Sequence, residues 1–600
     1  MSSRFAVRAL VSLLAAAGVT LGGVRPATRQ AAMAEAAPST ARSTVRVGMW
    51  TLWHDREVVL TSSATAEPAS MRSCERCPAT PFRAQAKIRT DRETLILTMG
   101  GRTTRADGVW LTGQVTLTAH GETVTLRNPV AISAHAGVLT IVVTMPVESY
   151  VERVVASESG AADSAESLKA LAIVVRSFAL HEAHGHAEYD LCDSTHCQLL
   201  HWSGRSERRA MAHSAVLETA GETLWFRGQR ALAYFGKDCG GRTASPNEIW
   251  PRAKPVPYLP SLPDRNCTGD GGREWASEIA RAELTAALAA HGLAAPGWQS
   301  LTVARRGESG RAVMLRLDGR EIDAEEFRLA VDESLGWSRI PSTWFEVSRQ
   351  GDRFEFHGRG WGHGVGMCQK GAAAMAANGR NEGEILEQYF PGAEVADEAA
   401  GRAWKGFAGN GFVLESLDSA DAATLADLNR ARAEAAERSG LNSSSQFTVR
   451  AFASTAAFRE ATLAPGWVAA FEEGGWIGTQ PLRTLAARHL MAGTMRHEFL
   501  HALVEEHSGP SAPLWLREGL VEAWSESDGP TNAASGKPTM KLDAIGAALA
   551  HPSSEAESEA AHRAASWYAA QLLARYGRAQ VLDWLRSGLP PGVVAALGQR

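Results

Sequence analysis

The sequence predicts an α+β protein: a mixed β-rich and helical first part, followed by a mainly helical second part. Two observations carry this. From Thr44 to Met145 apolar residues come in short β-branched runs punctuated by Gly and Asn; from Pro146 the spacing becomes helical. A chain of 600 residues also exceeds one ordinary domain, and about two to four are expected.

The N-terminus reads as an export signal. Arg4 and Arg8 precede an uncharged apolar run from Ala9 to Val24, and Ala34-Glu35-Ala36 offers a cleavage site. A signal peptide over residues 1–36 is expected, with an uncleaved anchor as the alternative. The run is short for a membrane span and no later stretch is long enough, so the mature chain is expected outside the cytoplasm with no membrane span. Hydrophobic residues at 45% and charged residues at 21% exclude a mostly disordered chain. The 61 basic against 66 acidic residues leave no basic excess, so no nucleic-acid partner is expected. The 18 Trp read first as core and interface packing.

Seven cysteines stand at 74, 77, 192, 197, 239, 267 and 368. In an exported protein they read first as disulfides, with Cys74–Cys77, Cys192–Cys197 and Cys239–Cys267 as pairs and Cys368 free. Half a zinc site is the alternative for Cys74 and Cys77.

Between residues 44 and 145, strands are expected at Thr94–Thr98, Val115–Thr118, Thr123–Leu126 and Leu139–Thr144. Two helices follow, Pro146–Ser157 and Ser164 to about His184. Leu168, Leu171, Ala172, Val175, Phe178 and Ala179 share one face of the second, and Asp163 is placed to cap it. Mixed segments run to about residue 395. Residues 396–445, rich in Ala, Asp, Glu and Ser, read as linker plus an Ala-rich helix, Ala422–Arg438. A strand-like Phe447–Phe452 opens the last region, 446–600, which is largely helical.

Three constellations carry chemistry. In VESYVERVVASE (147–158), Val147, Val151, Val154 and Glu158 fall on one helical stripe, at offsets of 4, 7 and 11 from the first valine. A carboxyl there is desolvated, its pKa is raised, and it suits a general acid; the alternative is an exposed, inert helix-terminal Glu. The second is GRGWGHGVGMCQKG (358–371), whose glycines permit close backbone approach and which fits neither the dinucleotide nor the phosphate-loop spacing. No nucleotide cofactor is expected.

These segments, with ESLKALAIVVRSFA (166–179), DLCDSTHCQ (190–198), YFGKDCGGRT (234–243) and ILEQYFPG (385–392), resemble the SpoIID/LytB family in family order over about residues 45–395. That family includes peptidoglycan lytic transglycosylases and amidase enhancers. The resemblance implies Glu158 as catalytic acid at the bond between MurNAc and GlcNAc, with a 1,6-anhydro product and no second carboxylate needed. It implies Arg176, Gln198, Thr243, His363 and Gln369 as cleft residues, peptidoglycan strands as partner, and a wall amidase as a further partner. Some members bind zinc near the positions of Cys192 and Cys197, where His186 or His196 would join. Ser159 and Cys239 depart from the Met and Ser commoner in the family at these positions. A non-catalytic, wall-binding amidase enhancer is the alternative function.

The third constellation is HEFLH (497–501), which sets two imidazoles at i and i+4 with Glu498 beside them. Chance supplies about 0.03 such matches in a chain of this composition. With PLWLREGLVEAW (513–524) it resembles the gluzincin metallopeptidases over about residues 410–590. The resemblance implies zinc on His497, His501 and Glu518, with Glu522 as second choice for the third ligand, and Glu498 as general base. Tyr568 is a candidate oxyanion stabiliser by type alone. A zinc peptidase targeted to the wall is thus a further alternative; the opposing reading of the motif is a metal-free remnant.

Overall fold

The computed structural model describes residues 44–598, apart from 63–68, 75, 182–185, 204–208, 269–273, 295–296, 421, 465–467, 526–537 and 551–553. The expected signal peptide lies outside the described residues. The β-rich part forms two sheets that share one apolar core. The seven-stranded sheet runs Leu191–Cys192, Thr44–Met49, Val138–Pro146, Val130–His135, Val109–Thr112, Ala69–Arg72, Thr80–Phe82. The six-stranded sheet runs Glu122–Leu126, Val115–Ala119, Glu57–Thr61, Gln85–Asp91, Thr94–Met99, Arg102–Ala106. Alternate residues such as Val58, Leu60, Ile88, Val109 and Ile132 are buried, as period-two patterning requires.

Two helices, Val147–Glu158 and Ala165–Leu180, follow directly from the last long strand. The second was expected to bury one face. Instead it is buried nearly all round from Ser167 to Leu180, because four helices and the Glu222–Phe226 strand pack against it. Its first residue is preceded by Ser164, not capped by Asp163. Ser167 Oγ accepts the Ser164 N–H, and Asp163 instead accepts from Gly160 N–H and Ser167 Oγ.

An unforeseen inserted body occupies residues 274–359. Two three-stranded sheets and the helices Arg281–Ala290 and Ala324–Leu335 enclose their own apolar core around Phe327, Phe345 and Phe356. The expected linker, 396–445, is folded as well. Glu394–Asp397 pairs with Glu222–Phe226. Lys405–Ala408 and Phe412–Ser416 form part of a five-stranded sheet with Phe447–Ala451, Trp476–Thr479 and Ala470–Glu473. The last region therefore starts near residue 405 and holds a mixed sheet beside its helices, among them Ala422–Ser439, Met491–His507, Leu514–Ser525 and Glu555–Ser587. This departs from the mainly helical expectation for 446–600. Among the described residues no helix is long and apolar enough to cross a membrane.

Contacts between the first part and the last region are both apolar and charged. Leu217 and Ala220 pack with Phe452, Phe458 and Trp476. Arg450 pairs with Glu222 at 2.7 Å and with Glu415 at 2.8 Å, and donates to the Ala220 carbonyl.

Candidate functional site

Glu158 closes the Val147–Glu158 helix, whose Val147, Val151 and Val154 are buried as the stripe requires. The carboxyl is partly buried. Desolvation raises its pKa above the ordinary carboxylate range, opposed by hydrogen bonds from the Gln369 side chain and Leu199 N–H and by the charge of Lys237. Gln369 also reaches the Glu158 carbonyl at 3.4 Å, although 211 positions separate them. Tyr150, one helical face away, donates to Gln198 Oε1 at 3.0 Å.

The glycine-rich segment delivers Gln369. Gly360, Gly362, Gly364 and Gly366 have φ of 79°, 89°, 76° and 76°. At Gly366 a side chain is excluded twice, since a Cβ would also sit 2.1 Å from the Tyr234 carbonyl. That close approach lets Met367–Cys368 pair in parallel with Phe235–Gly236, and Gln369 opens the helix that follows.

The other residues implied by the resemblance divide. Gln198 lies beside Glu158's neighbours but is buried, held by Tyr150. His363 packs against the Trp250 ring at 5.3 Å, its Nδ1 accepts the Val365 N–H, and burial lowers its pKa to about 4, so it is neutral at neutral pH. Two others, Arg176 and Thr243, are buried among protein partners. Arg176 is buried at 1% exposure, its guanidinium donating to Glu148 at 2.8 and 2.6 Å and to the carbonyls of Glu222 and Val216, so it is not open to a sugar. Thr243 is buried and its hydroxyl bridges Pro260 and Leu262 backbone. Both hold the scaffold.

Of the expected disulfides, Cys74–Cys77 is formed. Cys192, Cys197, Cys239 and Cys267 are free in the structure, so the other two expected pairs are not formed there. The sulfur of Cys197 faces His186 Nε2 at 3.2 Å and accepts the Cys192 N–H, while Cys192 Sγ lies 3.8 Å from His196 Nδ1. These four donors lie within 4.8 Å of one another. A hydrogen bond from the Cys197 side chain, with others from His196 and Ser194, lowers the Cys192 pKa below the ordinary thiol value. Two thiols and two imidazoles are a tetrahedral zinc donor set. Cys239 and Cys267 meet Cys368, which was expected to stand alone.

The third constellation lines a cleft of about 1400 Å³. The Met491–His507 helix sets His497 Nε2 and His501 Nε2 3.1 Å apart. Glu518, from the Leu514–Ser525 helix, comes within 3.6 Å of His501. Burial lowers both imidazoles to about 4, and burial with the charges of Glu472, Glu518 and Glu522 pushes Glu498 well up. Four carboxylates and two imidazoles in one cleft fit a divalent cation, which relieves that mutual repulsion. Tyr568 packs on the Trp515 ring outside this lining. His562 lines the cleft instead, 3.7 Å from Glu518, on a helix whose sequence gave no metal-ligand spacing to find it by. Glu472, raised to about 7 by burial, was likewise missed. Glu473 and, from the first part of the chain, Glu218 also line the cleft.

Comparison with known proteins places these features. Residues 135–226 match the SpoIID family, described as Stage II sporulation protein, and residues 248–366 match a domain of unknown function, DUF8618. An uncharacterised protein of Brachyspira hyodysenteriae is 28% identical over 262 residues, covering 43% of this chain and 69% of the relative. Stage II sporulation protein D of Bacillus subtilis is 27% identical over 299 residues, covering 46% and 81%. The amidase enhancer of Bacillus subtilis is 23% identical over 287 residues, covering 40% of this chain and 39% of the relative. These matches support a relation to the SpoIID family. The second match falls on the inserted body.

Proposed function

We propose that this protein is exported and cleaves peptidoglycan glycan strands at the cell envelope, with Glu158 as its acid. The observation that carries the reading is the convergence of Glu158 and Gln369 from distant segments on a desolvated carboxyl at the edge of a buried helix. The resemblance and the Stage II sporulation protein D and amidase enhancer relatives support it.

In this reaction the protonated Glu158 carboxyl gives its proton to the glycosidic oxygen as the C1–O bond of MurNAc breaks. The leaving GlcNAc takes that proton as a hydroxyl. The MurNAc 6-hydroxyl oxygen then bonds to C1, and its proton returns to the Glu158 carboxylate. No water is consumed and a 1,6-anhydro ring results. Gln369 steadies the carboxylate between the two transfers. The raised pKa keeps the carboxyl protonated before the first transfer and makes its carboxylate the better base for the second, while the hydrogen bonds stabilise the carboxylate formed between them.

Mass spectrometry of intact and peptide-stripped glycan strands tests this, using the mature protein and Glu158→Gln. Anhydro-MurNAc products that disappear in the variant are expected. Strand binding and amidase stimulation without such products would instead assign the wall-binding, amidase-enhancing role.

The cleft at His497 favours a second activity in the same chain. His497, His501 and Glu518 would hold zinc, with Glu522 as the other acidic neighbour. Zinc bound there would supply Lewis-acid activation of a peptide carbonyl and of water. Glu498 takes the proton of the attacking water on its carboxylate and passes it to the leaving amine nitrogen. His501→Ala is expected to lower zinc content, while Glu498→Gln keeps zinc and loses proteolysis. Proteolysis unchanged in Glu498→Gln would refute this assignment.

A further inference from the structure

We propose that Cys239, Asp264, Cys267 and Cys368 form a buried zinc site that ties the base of the inserted body to the loop carrying Gln369. It stands apart from the glycan and peptide readings and from the His186–Cys197 cluster. The four donor atoms lie within 4.8 Å of one another, and every one of these residues is at most 2% exposed.

Ordinary buried thiols behave as small apolar groups with unrelated neighbours. Here three thiols and a carboxylate from three chain segments converge on one point. The thiols also sit where negative charge on sulfur is welcomed. Cys368 Sγ accepts two backbone N–H groups, from Cys239 at 3.2 Å and Gly371 at 3.4 Å. Arg311, fully buried, donates to the Cys239 carbonyl at 2.7 Å, and its Nε and Nη1 have no hydrogen-bond partner. Lys370 adds a second cation, 3.6 Å from Asp238. Asp238, which accepts from Cys267 Sγ at 3.0 Å, cancels the Lys370 charge, so Arg311 offsets part of the excess that three thiolates and a carboxylate leave on a divalent ion.

Asp264 is oriented as an outer partner would orient a ligand. Tyr389 donates to its Oδ2 at 2.9 Å, and the N–H groups of Asn266 and Cys267 donate to its Oδ1 at 3.1 Å. Tyr389 lies in ILEQYFPG and so joins another part of the fold to the site. Three soft sulfurs with one oxygen select zinc over magnesium or calcium, and a closed four-donor set suits a structural ion. A disulfide uses two of the three sulfurs and leaves a thiol and a carboxylate buried without purpose.

The location gives the site its role. Cys239 and Cys267 precede the inserted strands and Cys368 follows them, so the ion closes the chain around residues 274–359. Cys368 is also adjacent to Gln369, whose side chain meets Glu158.

The test is metal analysis of the full mature chain by inductively coupled plasma mass spectrometry, beside Cys267→Ser, Cys368→Ser and Asp264→Asn. Zinc content is expected to fall by about one equivalent per chain in each cysteine variant, with any metal at the His186–Cys197 cluster and at the His497 cleft retained. Unchanged stoichiometry in folded variants overturns the proposal. Should the variants not fold, disulfide mapping of the wild-type chain decides. Three alkylatable thiols at 239, 267 and 368, reactive only after a chelator is added, support the site. A disulfide between any two of them, or alkylation that ignores the chelator, overturns it.

Discussion

A carboxyl that must donate a proton near neutrality needs burial, and Glu158 obtains it from the valine stripe beneath it. Because the protonated form is the active acid, glycan cleavage is expected to decline as pH rises through its raised pKa. Gln369 favours the charged form, so Gln369→Leu is expected to raise that pKa further and move the declining limb to higher pH. A pH profile of kcat/KM checks this, and a limb that stays put or moves to lower pH refutes it. Glu158→Gln itself should cost about 100- to 10,000-fold in rate with the unfolding midpoint little changed. Arg176 makes the opposite case. Arg176→Ala leaves Glu148 buried without its partner and is expected to destabilise by about 3–5 kcal/mol in denaturant titration. The type of residue and its place in a motif suggested a sugar contact; only its burial and its four acceptors exclude one.

Helices were the most legible elements and short strands the least. Val147–Glu158 and Met491–His507 have unbroken apolar spacing, so their side chains could be placed on faces from offsets alone. The glycine-rich segment offered no period, yet its glycines carry the geometry. Gly366→Ala meets both a positive φ and the Tyr234 carbonyl, and is expected to destabilise by more than about 1 kcal/mol and to lower glycan cleavage through Gln369. Thermal unfolding and product analysis of one variant measure both. A fully active, equally stable Gly366→Ala would mean that the loop relaxes elsewhere. Phe412–Ser416 was mistaken for linker because its pairing partner, Phe447–Ala451, lies a whole helix further along the chain. Parallel pairing with a crossover leaves no hairpin signal to read.

At the scale of the molecule, Arg450 links the first part to the last region through charges taken out of water. Glu222 is buried, and truncating Arg450 strands it. Arg450→Ala is therefore expected to cost about 3–5 kcal/mol and to split one unfolding transition into two in calorimetry. A single unshifted transition would show that the apolar contact of Leu217 and Ala220 with Phe452 and Trp476 suffices alone. Glu218, from the first part, lines the His497 cleft, so the same coupling matters for peptide access.

The sequence by itself determined the local features: the β-rich start, the two helices after Met145, Glu158 on its stripe, and the paired imidazoles of His497 and His501. Each follows from spacing within a few turns, where backbone geometry alone sets which side chains meet. The tertiary structure decided which polar residues are structural, as for Arg176 and Thr243, and which thiols meet. Cys239, Cys267 and Cys368 stand far apart along the chain, and the inserted body separates two of them from the third. Only the packing of that body against the glycine-rich loop brings their sulfurs together.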